Sequence, residues 1–78
     1  MVTVTIYKDG KSWRAKWADR DVPIFDFVFG VGMMKKDKLM ENFGLLTPTF
    51  VFDGEPDERT RKAVEQVADY VAKVYAEK

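Results

Sequence analysis

Along the first twenty residues, apolar and polar positions alternate with period two on both sides of Asp9-Gly10. Such alternation sorts residue types onto the two faces of a strand, and Asp-Gly tolerates the positive φ of a tight turn, so this segment predicts a β-hairpin. With Asp9 and Gly10 as the loop residues, Ile6 stands opposite Trp13, Val4 opposite Ala15 and Val2 opposite Trp17, all on one apolar face. The pairs Tyr7–Ser12, Thr5–Arg14 and Thr3–Lys16 form the polar face, and a slip of one residue would exchange the two. Period two recurs over residues 24–29, predicting a third strand after Pro23 that turns Phe25, Phe27 and Phe29 to the core and Ile24 and Val28 away from it. It recurs again over 47–52, predicting a fourth strand with Phe50 and Phe52 inward and Thr49 and Val51 outward.

Helical spacing appears in two places. Leu39, Met40 and Phe43 predict a short helix within 33–43, closed by Gly44. Pro56, Asp57 and Glu58 suit the start of a longer one, in which Val64, Val67, Val71 and Val74 recur every three or four residues as the buried stripe. The valine seam is too short for a coiled coil, and β-branched side chains pack well on a sheet. Residues 1–78 are therefore expected to form a single α+β domain in the order β-β-β-α-β-α. Its four-stranded, mostly antiparallel sheet carries the long C-terminal helix on one face.

Composition narrows the chemistry. The 78 residues contain neither His nor Cys, which removes the usual means of placing a pKa near neutrality, of activating a nucleophile or of holding a transition metal. No enzyme activity, metal or cofactor is expected. The acidic run Asp53, Glu55, Asp57, Glu58 has the first spacings of a calcium loop, yet Gly54 stands second rather than sixth, and Val64 occupies the twelfth position where a bidentate Glu is needed. Gly30-Val31-Gly32 follows a predicted strand as a dinucleotide fingerprint would, but Lys35 replaces the third glycine, so it reads as a strand terminator.

Thirteen basic and thirteen acidic residues cancel, against a surface wholly dedicated to nucleic acid or anionic lipid. The first twenty residues are nonetheless basic and the last thirty-eight acidic. Met1 runs into alternating Val and Thr without the pattern of a secretory leader, and the most apolar stretch, 22–34, is too short to span a bilayer and contains Asp26; a cytoplasmic location is the expectation.

Two binding surfaces emerge. Ile24, Val28 and Val51 would lie outward on strands three and four with Met33 and Met34 nearby, an apolar patch for a protein partner or a second copy of the chain. A small accessory or inhibitor-type protein, such as phage and plasmids carry, is the expected kind. The alternative uses Tyr7, Lys8, Lys11, Arg14 and Lys16 for nucleic acid, with weak binding expected. Residues 7–17 resemble the opening hairpin of the AP2-like arm-binding domain of phage integrases, which implies that the sheet contacts DNA. The resemblance spans eleven residues, and where that family continues with a basic strand and a Lys-rich helix start, this chain continues with Phe-rich and acidic sequence.

Overall fold

A computed structural model describes residues 2–77. The hairpin forms from β1 (Thr3–Asp9) and β2 (Ser12–Trp17), but its loop is Gly10-Lys11. Gly10, at φ 63°, takes the first loop position, where a II′ turn requires glycine. The register is accordingly Asp9 with Ser12, Lys8 with Trp13, Tyr7 with Arg14, Ile6 with Ala15 and Thr5 with Lys16. This is a shift of two residues from the expected pairs. Because strand faces repeat every second residue, the apolar and polar faces survive while every partner changes.

A second tight turn follows at once. Ala18-Asp19 carries the chain into β3 (Arg20–Pro23), with Ala18 at φ 51°, and Trp17 pairs with Arg20. The third strand is thus this short segment, and residues 24–29, expected as strand, begin helix α1 (Ile24–Gly32). Ile24, Phe27 and Val31 are buried at i, i+3 and i+7, Val28 packs against the same core, and Gly30 and Gly32 lie inside the helix instead of ending a strand. A short α2 (Lys36–Phe43) follows, closed by Gly44 at φ 88°, whose N–H donates to the Met40 carbonyl at 2.8 Å.

The chain then enters β4 (Thr49–Asp53), parallel to β1, with Thr3 beside Thr49 and Tyr7 beside Asp53. Helix α3 (Glu58–Ala76) starts two residues after Pro56, with Asp57 as its N-cap, and buries Thr60, Val64, Val67, Val71 and Val74. The strand order β3-β2-β1-β4 gives a mixed sheet with one parallel pair, and the α+β class with a long C-terminal helix on one sheet face stands as expected.

Both α1 and α3 start at the hairpin-tip end of the sheet and run back side by side over the same face. One core results, in which Val4, Ile6, Ala15 and Trp17 of the sheet meet Ile24, Phe27 and Val31 of α1, Leu39 and Phe43 of α2, and the valines of α3. Trp17 lies 5.1 Å from Phe27 and 5.6 Å from Phe43 between ring centroids, and Phe27 reaches Phe50 at 6.2 Å. Tyr75 ties α3 to the end of α2 by donating to the Gly44 carbonyl at 2.8 Å; burial raises its pKa. Among the described residues, no helix is long and apolar enough to cross a membrane.

Candidate interaction surfaces

The uncovered sheet face carries the odd-numbered residues of β1 and β4 and the even-numbered residues of β2. Arg14 stands beside Pro23 of β3 and Lys16 beside Asp21. Asp21 organises this face. Its carboxylate accepts a hydrogen bond from the Tyr7 hydroxyl and one from Arg14 Nε at 2.8 Å, while its backbone carbonyl accepts from Arg14 Nη2 at 3.3 Å. The bonds from Tyr7 and then Arg14 hold the Asp21 carboxyl below the ordinary carboxylate range, and the same contact raises the Tyr7 phenol.

A depressed folded-state pKa adds stability above the unfolded value, and that stability disappears as pH falls through the folded value. Asp21→Asn should therefore lower the melting temperature at neutral pH. The gap between parent and variant should begin to narrow as pH falls below about 4, the ordinary Asp value, and close only as pH passes the lower folded value. A gap of the same size at every pH, read from thermal melts, would show that the ionised carboxylate is not what Tyr7 and Arg14 recognise.

The five residues of the nucleic-acid alternative are divided by this arrangement. Tyr7, Arg14 and Lys16 lie on the open face, the first two bound to Asp21, whereas Lys8 alternates onto the helix-covered side and Lys11 sits in the turn. Lys8 and Lys11 instead line a cleft of about 600 Å³ at the hairpin tip. Trp13, Phe25 and the start of α3 complete it, and there Glu55 and Asp57 offset Arg59. The acids expected as a cluster are spread along the end of β4, this loop and the N-cap of α3.

The five residues of the apolar patch are divided as well. Ile24 is in the core at 4% exposure, and Val28 and Met34 are half-buried against it, with the Met34 carbonyl accepting from Tyr70 Oη at 2.6 Å. Val51 is on the open face as expected, 44% exposed, and Met33 is exposed at the end of α1. The helix in place of a strand explains the change, because its inward stripe takes Ile24 and Val28 while its outer side takes Phe25 and Phe29.

Phe25, Phe29 and Met33 follow one another at intervals of four, so one turn of helix separates each from the next, and they are 50%, 73% and 82% exposed. Reading 24–33 with a period of 3.6 separates this stripe from the buried one; reading it with a period of two hides it. The Arg59 guanidinium lies 5.0 Å from the centroid of the Phe25 ring. At the other end, beyond Met33, Lys35, Lys36 and Lys73 share a shallow depression with Tyr70, Val74 and Glu77, where Lys36 donates to the Glu77 carbonyl. Leu45 and Leu46 are also exposed, so they do not cover the open sheet face. Comparison of the chain with protein families, with curated proteins and with solved structures finds no match.

Proposed function

We propose that the chain is a non-catalytic protein-binding module whose contact surface is the outer side of α1. The observation that carries this reading is the row Phe25, Phe29, Met33, two large apolar side chains on successive turns of α1 and a third at its C-cap, on a helix whose opposite stripe is locked in the core. A contiguous row of exposed apolar side chains on a small protein marks a surface against which another protein's apolar side chains pack. Charge selects the partner. Arg59 stands at one end of the row and Lys35 and Lys73 beyond the other, while α1 itself contributes only Asp26. The complement is a protein segment with apolar positions flanked by carboxylates, because like charges there would be repelled. Arg14 and Tyr7 are occupied by Asp21, and the remaining cations of the hairpin lie on different sides, which weakens the nucleic-acid alternative.

A random peptide library displayed against the immobilised chain tests this. Selected peptides should combine aromatic or aliphatic anchors with Asp or Glu, and their binding, followed by fluorescence anisotropy, should weaken at least about tenfold in Phe29→Ser, the size of effect that a single anchor carries. The fold should persist with the melting temperature lowered by a few degrees at most, since Phe29 is mostly solvent-exposed. Selected peptides indifferent to Phe29→Ser would overturn the reading. So would co-sedimentation with phosphatidylglycerol vesicles that Phe29→Ser abolishes, because the row would then be a lipid contact.

A further inference from the structure

The two edges of the sheet are built differently. β3 is short and presents Arg20, Asp21 and Pro23, and charges and proline are the usual protection against strand addition. β4, at the other edge, reads Thr-Phe-Val-Phe-Asp, with a single charge at its end. The Thr49 N–H donates to the Val2 carbonyl at 2.9 Å, so the backbone groups of Thr49, Val51 and Asp53 point to β1. Those of Phe50 and Phe52 consequently point outward, since successive residues of a strand direct N–H and C=O to opposite sides. Among the described residues, no strand pairs with that edge.

We infer that β4 pairs antiparallel with β4 of a second copy of this chain, joining two sheets into one across a two-fold axis at Val51. The segment is close to symmetric about that residue. Phe50 meets Phe52 of the second copy and Phe52 meets its Phe50, so the outward N–H and C=O groups of both residues are satisfied on both chains. Val51 then falls in the pair without hydrogen bonds, where side chains approach most closely, and packs against its counterpart on the open face. This register places Asp53 opposite Thr49 at either end and keeps the two carboxylates apart. The axis is perpendicular to the sheet, so all helices stay on one side. The dimer stands independently of the α1 reading, because α1 rests on β2, β3 and α3 and its apolar row remains free at both ends of the joined sheet.

Amide hydrogen exchange on the unaltered chain, together with light scattering after size exclusion, tests the pairing. Mass should rise towards twice the monomer value over the micromolar range. The Phe50 and Phe52 amides should exchange rapidly at high dilution and become at least about tenfold slower in the dimer, while Val51 stays protected at every concentration. Val51→Lys should hold the mass at that of the monomer with an unchanged circular dichroism spectrum, because its side chain reaches water once the partner is gone. Phe29→Ser should leave the dimer intact. A monomer at all concentrations, rapid Phe50 and Phe52 exchange in a dimer, or a dimer split by Phe29→Ser but not by Val51→Lys would each overturn the proposal.

Discussion

Phe27→Ala is expected to cost about 3–5 kcal/mol, while Phe25→Ala and Phe29→Ala each cost about 1 kcal/mol or less. The three residues alternate along the chain, and a strand with its inner face on the core would bury all of them equally. On α1 only Phe27 turns inward, at 2% exposure, between Trp17 and Phe50, whereas Phe25 and Phe29 are half and mostly exposed. Truncating Phe27 removes a ring from the junction of α1, β2 and β4. Domains of this size are stable by about 5–15 kcal/mol, so the variant should be substantially unfolded at moderate urea concentrations that leave the other two folded. Equal losses for all three substitutions, measured by urea denaturation with circular dichroism, would reinstate residues 24–29 as a strand.

The ambiguity at this segment has a physical origin. Ile24, Phe27, Val28 and Val31 satisfy the helical spacing as well as Phe25, Phe27 and Phe29 satisfy the strand spacing, because Asp26 is the one charged residue among them. Sheet width decides between them. Four strands at about 4.8 Å each span nearly twice the roughly 10 Å diameter of a helix, so a single C-terminal helix leaves half the sheet uncovered. The segment that can cover β2 and β3 is 24–32, and once it is a helix, strand three must be Arg20–Pro23.

Where only one period fits, the sequence was legible. The valine stripe of α3, the inward Phe50 and Phe52 and the outward Val51 all follow from spacing and agree with the structure. The candidate surface was legible only at Val51 and Met33. A period of two places Ile24 and Val28 outward and Phe25 and Phe29 inward, and the helix that forms there reverses all four. The contact of Asp21 with Tyr7 and Arg14 was hidden differently. It depends on β3 lying beside β2, which the pattern of β1 and β2 does not encode.

Trp17→Ala should cost about 3–5 kcal/mol and Trp13→Ala about half as much, which separates the two possible hairpin registers. Both tryptophans lie on the helix-covered side, so their alternation says nothing about which is deeper. With Gly10-Lys11 as the loop, Trp13 stands beside Lys8 at the tip, half-buried on the wall of the open cleft. Extending the same register brings Trp17 opposite Val4, where it is 6% exposed and its ring meets those of Phe27 and Phe43. Loss of Trp17 therefore loosens α1 and α2 together. A double-mutant cycle between Trp17→Ala and Phe27→Ala should return a coupling of about 0.5–1.5 kcal/mol, typical of aromatic pairs. Each single variant leaves one tryptophan as a reporter. Emission from Trp17 in the Trp13→Ala protein should be blue-shifted, and emission from Trp13 in the Trp17→Ala protein should lie closer to that of the unfolded chain. The reverse order of both stability loss and emission would place Trp13 deeper in the core than Trp17, as the loop Asp9-Gly10 would require by setting Trp13 opposite the fully buried Ile6.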